Sequence, residues 1–251
     1  MENTDRRKTS ATSLRVLDAV ADLGGATLTE ISTHMTMHES TLYKHLKTLE
    51  ENGYIAKIDG KYHPSAKLFH LGKRGRERNE YIAAREELNK LYDEYEQETS
   101  FSIQQNGRIL VLFDQSHDST PEGFQVGEYY HMHSNACGKA ILAEYSDARV
   151  REIIEKWGLS KEQDNTITNE ESLFNELEEI RDSGYAINNQ ESMEGLRSLA
   201  VSVTKPSGDV LGAIDIFGPP YLLPPDEEMV EILENTARNI EEKIKQSEDS
   251  E

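Results

Sequence analysis

The chain has 251 residues, one cysteine, and 27 Lys and Arg against 47 Asp and Glu, a formal net charge of −20. A single Cys excludes an intramolecular disulfide framework and points to a reducing cytoplasm, and no run of 18 apolar residues exists to cross a membrane as a helix. The charge is unevenly placed: residues 1–80 hold 13 basic and 11 acidic side chains, net +2, and the remainder hold 14 and 36, net −22. Phosphate repels an acidic surface, so nucleic-acid contact is expected only in the N-terminal third. The acidic excess suits a protein kept hydrated in strong salt, with an ordinary acidic domain as the alternative.

In chain order, residues 1–9 read as a flexible polar arm whose Arg6, Arg7 and Lys8 can reach a minor groove, with no apolar core of a signal peptide after Met1. Leu14, Leu17 and Ala21 predict a first helix that stops at Gly24-Gly25. Thr27-Leu28-Thr29-Glu30 has the form of a capping box, and Leu28, Ile31 and Met35 follow at helical spacing. Thr36 and Glu39 form a second possible box before a helix with Leu42, Leu46 and Leu49 on one stripe. Opposite that stripe stand Ser40, Thr41, Tyr43, Lys44 and Lys47, hydroxyls and ammonium groups suited to phosphates and base edges. Gly53 is a natural stop, and Tyr54–Ile58, Asp59-Gly60 and Lys61–His63 predict a hairpin that carries Lys57 and Lys61. Helix, turn, helix and hairpin is the order of a winged DNA-binding module.

Residues 65–78 hold a basic run, Lys73, Arg74, Arg76 and Arg78, that can reach phosphates or merely solvate a helix. Ala84, Leu88, Leu91 and Tyr95 form a seam on a connecting helix that needs a partner, such as another protomer. From Thr99 the period becomes alternating. Phe101–Gln105 and Arg108–Phe113 flank Asn106-Gly107, and Phe124–His133 reads as a further strand. Helices are expected near 137–146, 148–157 and 172–183, the last stopped by Gly184. Leu199–Thr204 and Val210–Phe217 predict a second hairpin, followed by a helix with Val230, Leu233, Ala237, Ile240 and Ile244 on one face. Hairpin-linked strands with interspersed helices describe an α+β domain.

The residues also offer three other chemistries. His131-x-His133-x-x-x-Cys137 offers metal ligands, although the spacing matches no well-known zinc module. Cys137 at a helix start can instead have a lowered pKa and act as a redox sensor. Ser134, His133 and Glu191 make a triad on paper only, and no phosphate loop, G-x-S-x-G, HExxH or cofactor motif is present, so an enzyme is not expected.

Four ordered landmarks resemble the IclR family of transcriptional regulators: Ser40–Leu49 with Asn52-Gly53-Tyr54-Ile55; His133–Ala143 with its Gly138-Lys139-Ala140; Thr166–Thr168 through Gly184-Tyr185-Ala186 to Gly195-Leu196-Arg197; and Gly212–Pro219. The resemblance covers nearly the whole chain, with Lys44 where Arg is usual. It implies an N-terminal all-α/winged helix-turn-helix and a C-terminal α+β GAF-like effector-binding domain with a mainly antiparallel sheet. The expected boundaries are an arm at 1–9, the winged helix at 10–72, a linker helix at 73–98, the effector domain at 99–247 and an acidic tail at 248–251.

By the same resemblance the effector cavity falls on Ala136, Cys137, Asn188, Ser198, Asp215 and Phe217. This chain departs from the family at Ser198, often Cys, at Asn188, often acidic, and in a last strand that carries Asp215 and Phe217 instead of serine. A carboxylate facing the cavity favours hydroxyls or a cation, unless Arg197 offsets Asp215 and restores tolerance for organic acids. The expected ligand is a small polar metabolite, a sugar derivative or organic acid. The expected partners are double-stranded operator DNA and further copies in a dimer or tetramer, with no membrane, in a haloarchaeal cytoplasm. The alternative is a sensor or scaffold without specific DNA binding, metal- or redox-responsive through His131, His133 and Cys137.

Overall fold

The computed structural model describes residues 7–116 and 126–249. The chain divides into two compact units, Met1–Glu77 and Arg78–Glu251. The N-terminal unit holds α1 (Lys8–Asp22), α2 (Leu28–Met35), α3 (Glu39–Glu51), a hairpin of β1 (Ile55–Ile58) and β2 (Lys61–Pro64), and α4 (Ala66–Arg76). The expected capping box is present: Thr27 Oγ1 accepts from the Glu30 amide while Glu30 Oε2 accepts from the Thr27 amide at 2.8 Å. The second box is not. Thr36 lies in the left-handed region at φ 51°, and α3 starts from His38 with no side-chain cap. Glu39 is used differently, its Oε1 accepting from Thr29 Oγ1 at 2.7 Å to tie α3 to α2.

Val16, Val20, Ile31, Leu42, Leu46, Leu49, Ile55 and Tyr62 form the core of this unit. Asp59 and Gly60, both at positive φ, close the two-residue hairpin, and Ala26 bridges to Tyr62 as a third strand position. Of the polar arm, residues 1–6 lie outside the described residues, while Lys8 and Thr9 already belong to α1. Where a single connecting helix was expected, α4 ends at Arg76 and a second helix, α5, runs Asn79–Tyr95.

The C-terminal unit continues from α5 with β3 (Thr99–Gln105), β4 (Arg108–Gln115), β5 (Tyr129–Tyr130), α6 (Ala136–Ala143), α7 (Asp147–Trp157), α8 (Glu170–Ser183), β6 (Ala186–Asn189), β7 (Arg197–Thr204), β8 (Val210–Gly218) and α9 (Asp226–Glu248). Its sheet has the order β5-β4-β3-β8-β7-β6, with every described pair antiparallel. Alternation sends Phe101, Leu199, Val201, Ile214 and Ile216 to a face covered by α5 and α9. The α5 seam of Ala84, Leu88 and Leu91 therefore packs on the sheet and α9 of its own chain, and Tyr95 is exposed. The opposite face carries Ala186, Ala200 and Ala213 against α6, α7 and α8.

Small residues on that face let α6 approach closely. A Cβ at Gly138 would stand 2.2 Å from the Met132 carbonyl oxygen. The expected strand over 124–133 shrinks to two residues: 124 and 125 lie outside the described residues, and Met132–Asn135 turns directly into α6. β6 was not anticipated from the sequence. Glu248 ends α9, and 250–251 lie outside the described residues.

Candidate functional site

In the N-terminal unit the buried stripe of α3 leaves its opposite face free. Leu42, Leu46 and Leu49 point into the core, and Ser40, Thr41, Tyr43, Lys44 and Lys47 are all exposed. Lys47 lies 3.8 Å from Glu51, an exposed pair worth little and readily exchanged for a phosphate. α3 is held from behind by Ser13 of α1, whose Oγ is hydrogen-bonded to His45 Nδ1 at 2.9 Å. On the wing, Lys57 and Lys61 are exposed, and Lys57 Nζ sits 5.0 Å from the centre of the Tyr62 ring. Helix face and wing together offer four ammonium groups within one small unit. Lys67 was not singled out from the sequence: its Nζ donates to the Asn52 carbonyl at 2.7 Å and lies over Tyr54, closing the α3 C-terminus.

In the C-terminal unit the strands bring the expected effector residues onto one face. Asn188 pairs with Ser198 and Ser198 with Phe217, while Asp215 pairs with Ala200 on one side and Ser100 on the other. Ala136 and Cys137 begin α6 above them. All six are at most 1 % exposed. Ser100 and Ser102 join the group from β3, and alternation along Thr99–Gln105 could have revealed them once its other face was assigned to Phe101 and Ile103.

Asp215 Oδ1 accepts from the Ser100 hydroxyl at 2.6 Å and from the Ser100 amide at 3.1 Å. Burial nevertheless pushes Asp215 up to about 7, the Ser100 hydrogen bonds pulling the other way. Its Oδ2 and the Ser198 hydroxyl are buried without a hydrogen-bond partner among the described residues. The Cys137 thiol is driven well above its ordinary range, first by burial and then by the Asp215 carboxylate beside it. The helix-start effect expected to lower it is overridden. Arg197 does not offset Asp215, because its guanidinium donates to Asp226 at 2.7 Å.

Asn188 fixes the connection after β6, accepting from the Glu191 amide at 2.9 Å and donating to Ser192 Oγ at 3.0 Å. That connection is anchored again by Lys139, fully buried, which donates to Glu191 at 2.7 Å and to Glu176 of α8. Val111, Leu196 and Phe217, with Tyr130 and Met193, make a small apolar cluster alongside Ser198.

The competing chemistries are not assembled. His131 Nε2 and Ser160 Oγ are hydrogen-bonded at 3.2 Å, and His133 Nε2 donates to the Ser160 carbonyl at 3.1 Å, whereas Cys137 faces Asp215. Among the described residues no three His, Cys, Asp or Glu gather as metal ligands. Burial lowers His133, and its paper triad is broken up: Ser134 donates to Glu162 at 2.6 Å and Glu191 serves Lys139.

Known proteins share both halves of this arrangement. Residues 13–59 match the IclR helix-turn-helix domain, and residues 78–242 match the bacterial transcriptional regulator IclR C-terminal domain. The probable HTH-type transcriptional regulator ArcR of Halobacterium salinarum is 28% identical over 225 residues, covering 85% of this chain and 84% of its own. The HTH-type transcriptional regulator KdgR of Escherichia coli is 28% identical over 231 residues, covering 90% of this chain and 88% of its own. The crystal structure of the Thermotoga maritima IclR superposes with a TM-score of 0.76 at 26% identity, covering 94% of this chain and 98% of that one. The chain belongs to the IclR family of transcriptional regulators, DNA-binding proteins with an effector-binding C-terminal domain.

Proposed function

We propose that this regulator reads its operator with Ser40, Thr41, Tyr43, Lys44 and Lys47 of α3, while Lys57 and Lys61 of the wing hold phosphates. The observation that carries the assignment is the exposed hydroxyl and ammonium face of α3, set opposite its buried leucines in the half of the chain that is not acidic. Two such units on a homodimer, or within a homotetramer, would present paired helices to successive major grooves of a pseudo-palindromic site. The effector is a small polar metabolite, a sugar derivative or organic acid, held among Ala136, Cys137, Asn188, Ser198, Asp215 and Phe217. Two polar atoms buried there without a partner among the described residues support this reading. Ligand binding favours one DNA-binding state over another by its differential affinity for the two. Control of genes that consume the ligand, a catabolic pathway, fits such a switch.

A haloarchaeal, cytoplasmic setting and a role without catalysis are part of the same proposal. The Halobacterium relative and the net charge of −20 support the first, and the regulator relatives support the second. No described helix is long and apolar enough to cross a membrane. Electrophoretic mobility shift with the chain's own upstream DNA tests the DNA assignment. A shift competed by the same fragment and not by scrambled DNA is expected; equal competition by both would overturn it.

A further inference from the structure

The polar floor under α6 leaves two hydrogen-bonding atoms open among the described residues, one on a carboxyl and one on a hydroxyl. Asp215 Oδ1 is already saturated by the two Ser100 donors, at 2.6 and 3.1 Å. Oδ2 of the same carboxyl and the Ser198 hydroxyl have no partner among the described residues, although the two side chains are 1 % and 0 % exposed. Ser198 and Asp215 stand on neighbouring strands of one face, offset by one pair: Ser198 faces Phe217, and Asp215 faces Ala200. Diagonal neighbours of this kind lie roughly 7–8 Å apart at their backbones, within reach of one small molecule.

Among the described residues no cation is paired with the carboxylate. From β3 its neighbours are Ser100 and Ser102, from β7 Ser198 and Ala200, and from α6 the neutral Cys137 thiol, which also hydrogen-bonds the carboxyl. The charged side chain of α6, Lys139, is held by Glu176 and Glu191, and Arg197 by Asp226. Lining the same end are Phe217, Val111 and Leu196.

We infer that the site takes a ligand whose polar end donates hydrogen bonds, an ammonium or hydroxyl group on an apolar body, and turns away ligands that present a carboxylate to Asp215. The donor closes Asp215 Oδ2, Ser198 completes the pair, and the apolar body lies on Phe217, Val111 and Leu196. This rests on the effector-site reading above, and narrows its ligand class to one chemistry. A carboxylate in the same place would set two negative groups together at full burial, unless Asp215 took up a proton first. The two ligand types therefore have opposite proton linkage. A donor binds the ionised carboxyl, so its affinity rises with pH and levels off above about 7, where burial places Asp215. A carboxylate ligand needs the protonated form and weakens about tenfold per pH unit above that value.

Isothermal titration of the full-length protein with benzylamine, benzyl alcohol and benzoate, at pH 6 and pH 8, separates the cases. The three share a ring and differ in the polar group, and with about eight non-hydrogen atoms each belongs in the millimolar range of affinity. Expected is binding of benzylamine or benzyl alcohol that strengthens several-fold from pH 6 to pH 8 and weakens about tenfold in Ser198→Ala. Asp215→Asn, which keeps the shape and cannot ionise, should abolish the pH dependence, with circular dichroism checking that both variants are folded. Preferential binding of benzoate with the reverse slope would overturn the donor assignment and leave the site standing. Binding of none of the three, or binding indifferent to both substitutions, would overturn the site itself along with it.

Discussion

Asp215 ties a proton to the stability of the fold through its burial. Its carboxyl titrates near 3.8 when unfolded and near 7 when buried. The native state therefore binds this proton more tightly, and the group's contribution to stability is greatest below about pH 4, falls as pH rises toward 7, and then levels off. The full difference is about 4 kcal/mol at 1.36 kcal/mol per unit. Asp215→Asn removes the penalty, so urea denaturation should show the variant gaining on the wild type by a few kcal/mol between pH 5 and pH 8. Parallel stability curves for the two proteins would contradict this. In the DNA-binding unit, Lys44 and Lys57 are expected to differ in kind. Lys44→Ala should remove about 1–3 kcal/mol of discrimination between operator and scrambled DNA. Lys57→Ala should weaken both equally and lower the salt slope by about 1. Equal losses on both DNAs for Lys44→Ala would reassign it to a phosphate.

Among the elements, α6 is the keystone of the effector unit, because it meets the sheet closely and is tied to two other segments. Gly138→Ala would drive a Cβ into Met132 backbone at 2.2 Å, and a loss of about 1–3 kcal/mol or more is expected in urea midpoints. A loss below the error of the measurement would mean that the Met132 turn moves freely. Lys139→Met leaves Glu191 and Glu176 facing each other without their cation; about 3–5 kcal/mol is expected, partly recovered when Glu191→Gln is added. Most helices were readable from spacing, as were the Asp59-Gly60 and Asn106-Gly107 turns, because their signals are local; the break that parts α4 from α5 was not. What was not readable depended on distant partners. Glu39 looked like half of a capping box until Thr29 claimed it. Arg197 looked like a counter-ion for Asp215 until Asp226 took it. Alternation could place Ser100 on the right face of β3, but its bond to Asp215 follows from the register that lays β3 beside β8, 115 residues away in sequence. Four-residue β6 has too short a pattern to stand out, and the seam on α5 gave the buried face but not its partner, which is the sheet and α9 of the same chain.

For the whole molecule, charge divides the labour. Residues 1–80 carry net +2 and the rest net −22, so long-range attraction to DNA belongs to the N-terminal unit while the effector unit repels it. Self-repulsion on this scale is screened by salt, and a rise of several degrees in thermal midpoint from dilute buffer to molar potassium chloride is expected of a protein suited to strong salt. An unchanged or lower midpoint would contradict the halophilic setting. Strong salt also weakens phosphate contacts, which shifts discrimination onto base edges and DNA shape and raises the importance of Ser40, Thr41, Tyr43 and Lys44. The most direct measurement is fluorescence anisotropy of the full-length protein on its own upstream DNA in molar potassium chloride, with scrambled DNA as competitor and Lys44→Ala as comparison. Specific binding that Lys44→Ala converts to indiscriminate binding is the expected result. Absence of binding across all salt concentrations, or binding that never distinguishes the two DNAs, would contradict the assignment of α3 as the reading helix.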